Sequence, residues 1–175
     1  MAGLTNLKSL NLAGNSIRDI SALGGLTNLT SLVLDGTNIK DIRALANLTS
    51  LTSLDLGGGY DIASQLKDIS ALADLTNLTF LQFYSMDKIS DISVLSKLTN
   101  LTGLWITSTS VKDIKALAGL TNLTELNLSY NSISDISALA ELTKLTRLEL
   151  SNNPIEDYSP VASYNNQLEY SDFYM

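Results

Sequence analysis

The sequence has no cysteine and no histidine among its 175 residues. Without cysteine there are no disulfides, no zinc knuckle and no thiol nucleophile. Without histidine the chain lacks the commonest general base, the usual partner in a catalytic triad and the commonest metal ligand. Proline occurs twice and aromatics make up 6 %, while hydrophobic residues reach 45 %, so an aliphatic core is expected. Eleven basic residues stand against 18 acidic ones, a formal charge of −7, which argues against nucleic acid as a partner. No apolar run approaches the roughly 20 residues of a membrane span. The opening Met1 to Thr5 does not read as a signal peptide. These absences predict a soluble, acidic, non-catalytic protein with no cofactor, no bound metal and no membrane insertion.

What the sequence has is a repeat. LTNLKSLNLAGNSIRDISALGG begins at Leu4 and recurs as LTNLTSLVLDGTNIKDIRALAN from Leu26. Further copies begin at Leu48, Leu75, Leu98, Leu120 and Leu142, giving seven units of 22 residues, with five extra residues in the third and one in the fourth. The x-L-x-L-x stretch, such as Leu10 and Leu12, alternates with period two and reads as a short strand with both leucines inward. Ile17, Ile39, Ile133 and Ile155 return the chain to the core. The D-I-x-x-L segment then turns back, its Asp placed to accept from free backbone N–H groups at a helical or 3₁₀ start. One coil cannot bury its own apolar face; stacked coils can. Asn15, Asn131 and Asn153, with Thr37 and Thr109 at the same position, are placed to hydrogen-bond the backbone of the bend and of its neighbour. The expectation is one domain over residues 1–175, an α/β solenoid of seven coils.

These motifs resemble the leucine-rich repeats, and the 22-residue LTNLTSL and I-x-D-I-x-x-L form is similar to the internalin type of bacterial surface proteins. The resemblance covers Leu4 to about Pro160. It implies parallel strands on a concave side, 3₁₀ or irregular turns on a convex side, and a protein-recognition role at the cell surface or in secretion. Internalins carry an N-terminal helical cap, and only Met1 to Gly3 precede the first repeat here. On that reading the chain is a fragment, an engineered unit or a minimal member, and the first strand near Leu10 is an open edge suited to self-association. At the other end, Tyr158, Tyr164, Leu168, Tyr170 and Phe173 are expected to fold over the last coil, with residues 164–175 as a cap.

The solvent-facing strand positions form three columns, and there the repetition stops. The first runs Ser9, Ser31, Ser53, Phe80, Gly103, Glu125, Arg147; the second Asn11, Val33, Asp55, Gln82, Trp105, Asn127, Glu149; the third Ala13, Asp35, Gly57, Tyr84, Thr107, Ser129, Ser151. Phe80, Tyr84 and Trp105 fall on two neighbouring strands, with Tyr130 one residue past the next. Aromatic rings on a rigid sheet suit a binding hot spot; the competing reading is that they pack on one another or on the third-coil insertion. Asp35, Asp55, Glu125 and Glu149 face a single Arg147, so a partner with a basic rim is expected. The candidate partner-binding residues are therefore Phe80, Gln82, Tyr84, Trp105, Thr107, Tyr130, Asp55, Glu125, Arg147 and Glu149.

Other features carry less. The insertion Gly57 to Gln65 is equally a functional loop, projecting Tyr60 and Asp61, or a tolerated surface insertion; it lacks the Gly-Lys-Ser/Thr of a phosphate loop. Sequons at Asn28, Asn77, Asn100 and Asn122 are by-products of the repeat. No carboxylates have calcium-loop spacing. The leading expectation is a module binding a protein through its concave face; the alternatives are a cytosolic scaffold like the phosphatase-regulating repeats and an engineered or self-associating array. Asp19, Asp41, Asp68, Asp91, Asp113, Asp135 and Asp157 all occupy one repeat position, and without them 11 acidic residues balance 11 basic ones. The net charge is thus mostly a signature of the repeat.

Overall fold

A computed structural model describes residues 3–58 and 65–174. Eight strands form one open parallel sheet in sequential order. They are β1 (Ser9–Asn11), β2 (Ser31–Val33), β3 (Ser53–Asp55), β4 (Phe80–Met86), β5 (Gly103–Thr109), β6 (Glu125–Asn127), β7 (Arg147–Glu149) and β8 (Tyr170–Ser171). Seven belong to the repeats; the eighth comes from the segment beyond them. The return half of each coil is a 3₁₀ turn, from Ser21–Leu23 to Ser159–Val161. The α half of the α/β pattern is thus carried by 3₁₀ turns. Tyr60 and Asp61 lie outside the described residues.

The repeat positions explain the coil. Inward leucines such as Leu32, Leu54, Leu81, Leu104 and Leu126 are fully buried and stack in register. Burying each contributes about 1.5–3 kcal/mol, set against the entropy of ordering its coil. The second threonine of LTNLT bonds the coil before it: Thr52 Oγ1 donates to Thr30 O at 3.0 Å, and Thr124 Oγ1 to Thr102 O at 3.1 Å. The sequon asparagines do likewise, Asn28 Nδ2 donating to Thr5 O at 2.9 Å and Asn100 Nδ2 to Thr76 O at 2.8 Å. Their amides therefore have a structural use.

The turn asparagines form an internal ladder. Asn131 Nδ2 donates to Ile106 O at 2.7 Å and to Leu128 O at 2.8 Å, while its Oδ1 accepts from the Thr109 hydroxyl. Asn153 Nδ2 reaches Leu128 O and Leu150 O, and its Oδ1 accepts Ile133 N. On the opposite side every repeat Asp accepts from the backbone N–H two residues on, from Asp19 with Ser21 to Asp157 with Ser159, at 2.8–2.9 Å. This is an Asx turn that opens the 3₁₀ segment.

The two ends differ. At the β1 end, Leu7, Leu10, Leu12 and Ile17 are only half-buried and Leu4 is 53 % exposed. At the β8 end, Tyr158 stacks on Phe173 at 4.8 Å, and the Tyr164 hydroxyl donates to Leu139 O at 2.7 Å. Asp172 then takes the place of a strand: its carboxylate accepts Leu150 N at 2.7 Å and Ser151 N at 3.0 Å. That satisfies donors an edge strand would expose. Tyr170 stays nearly half exposed, beneath the Arg147 guanidinium at 4.4 Å.

Candidate functional site

The register aligns the columns as the repeat spacing requires. Ser53, Phe80, Gly103, Glu125 and Arg147 are successive partners, as are Asp55, Gln82, Trp105, Asn127 and Glu149; Tyr84 pairs with Thr107. Strands β4 and β5 have seven residues where the other repeat strands have three, so the widest part of the sheet carries the aromatics. Phe80, Gln82, Tyr84, Trp105 and Thr107 are half-buried, Glu125 and Tyr130 exposed.

Phe80 and Trp105 meet edge to face, ring centroids 5.9 Å apart and planes at 68°. Phe80 lies over Gly103, where a Cβ would come within 2.8 Å of its ring. Tyr84 leans the other way. Its ring covers Gly57, where a Cβ would sit 2.4 Å from Cε1, and its hydroxyl donates to Asp35 on the far side. The aromatics are thus one Phe80–Trp105 pair and a separate Tyr84 brace, each lying on a glycine. Both glycines belong to the site without contributing a side chain. The signal for them is a glycine in a strand column beside an aromatic on the next strand. Trp105 Nε1 is buried and has no hydrogen-bond acceptor among the described residues.

Electrostatics divides the face. Arg147 Nε donates to Glu149 Oε1 at 2.7 Å, so this cation and this acid neutralise one another. Asp55 Oδ1 accepts Gly57 N at 3.0 Å. Burial pushes the Asp55 carboxyl above its ordinary value, against that hydrogen bond and with help from the Asp35 charge. Among the described residues, Asp35, Asp55 and Glu125 on this face form no ion pair. On the convex side Arg43 pairs with Asp41 and Lys115 with Asp113. Tyr130 stands at the strand-end rim with φ of 58°.

The family model "Leucine Rich repeats (2 copies)" matches residues 5–46, 27–73 and 121–163. The internalin InlF of Listeria monocytogenes superposes with a TM-score of 0.90 at 37 % identity, over 99 % of this chain and 50 % of that one. Internalin C2 of the same organism matches at 0.85 and 38 %, over 96 % and 71 %. The chain is an internalin-type leucine-rich repeat protein. The Arabidopsis receptor kinase HAESA ectodomain, solved with a peptide hormone ligand, matches at 0.72 and 26 %, over 85 % and 26 %. No curated protein sequence matches. The chain spans about half the length of InlF. Its fold is that of a protein–protein interaction module, and no helix among the described residues is long and apolar enough to cross a membrane.

Proposed function

We propose that this internalin-type array belongs to a bacterial surface or secreted protein and binds a protein partner through the sheet face from β3 to β7. The partner surrounds an apolar anchor with basic side chains. The observation behind this reading is the half-buried Phe80–Trp105 pair on a sheet whose unpaired charges are acidic. Well-positioned aromatics concentrate binding energy, and complementary charge sets encounter rate and register. Gln82, Tyr84 and Thr107 extend the contact, while Asp55 and Glu125 set its sign. Arg147 and Glu149 present a neutral pair at its end. The function is recognition, not catalysis.

The test compares partner retention by the immobilised chain and by its Phe80→Ala/Trp105→Ala variant. Retention falls by roughly tenfold or more while cooperative melting survives. Salt weakens binding further through the acidic residues. Undiminished retention by the double variant sinks the reading.

A second reading rests on the half-covered leucines beside β1: two copies pair through this edge. Sedimentation equilibrium shows dimer accumulating with concentration if so; a monomer at the highest concentration removes it.

A further inference from the structure

Tyr130 occupies a left-handed backbone position that five of the other six coils give to a smaller residue. Gly14, Gly36, Ser85, Ser108 and Asn152 stand at the same point of their turns, all with φ between 53° and 68°. Glycine, serine and asparagine are small, and this left-handed region is costly for a bulky side chain. No polar or aromatic contact of the ring among the described residues offsets that cost. Tyr130 is 59 % exposed, and its side chain makes no hydrogen bond or ring contact among the described residues. Among the described residues, the other exposed large apolar side chains are Leu4 in the first coil and Tyr170 and Tyr174 near the C-terminus. Among the described residues, only Tyr130 stands in an inner coil of the array.

The pedestal beneath it is rigid. Tyr130 N donates to Ser151 O at 2.9 Å, Ser129 is buried, and Asn131 is pinned by the ladder. Ser108 and Asn152 flank it along the rim with short, exposed side chains. Strain without polar or aromatic compensation, held on a fixed base, marks a contact residue prepared for something outside the molecule.

We infer that Tyr130 is a partner-contact residue and that the recognition surface runs from Phe80 and Trp105 over the strand-end rim. The occupant is a segment of the protein partner that lays an aliphatic or proline side chain on the ring and offers a backbone carbonyl to its hydroxyl, as an amphipathic aromatic favours. This rests on the sheet-face reading above and adds a second, separable anchor to it.

The probe is a phage-displayed library of random dodecapeptides panned on the intact chain. Enriched peptides are synthesised and titrated against the unaltered chain, Tyr130→Gly, Tyr130→Phe, Trp105→Ala and, as an exposed control, Tyr174→Ala. Tyr130→Gly weakens binding roughly tenfold or more, yet its Tm rises by about 1–3 °C as the backbone strain is released. Tyr130→Phe loses less, and Tyr174→Ala changes nothing. If Trp105→Ala weakens the peptides and Tyr130→Gly does not, the rim anchor is wrong and the sheet-face reading stands. If Tyr130→Gly weakens them and Trp105→Ala does not, the rim is the anchor and the sheet-face reading falls. A lowered Tm for Tyr130→Gly makes the ring structural and overturns the inference. So does the absence of any peptide sensitive to Tyr130.

Discussion

On the convex side, the repeat aspartates stand in water and each accepts a backbone N–H. Those hydrogen bonds hold the carboxyls of Asp19, Asp68, Asp91, Asp135 and Asp157 below their ordinary range; at Asp41 the Arg43 guanidinium does most of the lowering. On the sheet face, Asp55 accepts the same kind of bond from Gly57 but is half-buried beside Asp35, and its carboxyl is pushed up. The residue type and the local bond are shared; the surroundings reverse the sign. Positions that recur in every coil are tuned to hold the solenoid. Positions that occur once bear costs that the solenoid does not require. Perturbation of that second kind concentrates at functional sites.

The contrast breaks most sharply at the turn ladder. Asn131→Ala leaves Ile106 O without its amide donor and the Thr109 hydroxyl without its acceptor, both part-buried, while Leu128 O keeps the Asn153 amide. The expected loss is about 2–4 kcal/mol, the cost of stranding two polar groups. Asn15 makes analogous bonds to Leu12 O and Ala13 O, but in an exposed coil where water substitutes. Asn15→Ala is expected to cost no more than about 1 kcal/mol. Urea titration of both checks this; equal losses would mean that burial is not what gives the ladder its strength.

These two asparagines also show what could be read in advance. Each repeat position is written seven times, so its physical role emerges by comparison within one sequence. Strand phase, inward leucines, turn asparagines and capping aspartates were all legible on that basis. The aromatic patch was legible only as an interruption, and its internal arrangement was not. Nothing in the one-dimensional pattern says that Tyr84 leans toward Asp35 while Phe80 leans toward Trp105; the glycines beneath each ring decide it. Arg147 counted as a cation opposing four acids, yet it is absorbed by Glu149 and Tyr170. Asp172 looked like any surface acid, because a side chain replacing a strand has no sequence period.

Gly103→Val tests a unique position directly. A Cβ there meets Phe80 Cδ2 at 2.8 Å, so the ring must swing off the sheet. Valine suits a strand, which offsets part of the overpacking, and the net loss is about 1 kcal/mol. Trp105 is the sole tryptophan, so its fluorescence reports the disturbed edge-to-face pair without ambiguity. The expected result is a shifted emission maximum, weakened partner binding and little change in cooperativity. An unchanged spectrum would show that Phe80 does not depend on the glycine beneath it.

The smallest effect is the most diagnostic, because its sign differs between the two faces. A capping carboxyl lowered in the folded chain stabilises fully above its unfolded value, near 3.8 at Asp135, and loses that contribution as pH falls through the folded value. Asp135→Asn keeps an oxygen for Ser137 N but removes the charge. It is therefore slightly less stable than the unaltered chain at neutral pH, and the gap closes in acid. Asp55 runs the other way. Its raised carboxyl makes the charged form a burden above the folded value, relieved as pH falls towards the unfolded one. Asp55→Asn is consequently more stable at neutral pH, and this gap too closes in acid. Melting each variant from pH 7 to pH 3 should give two differences that converge from opposite sides. If both start with the same sign, the half-buried aspartate is not held against its preference, and its claim to a role outside the fold weakens.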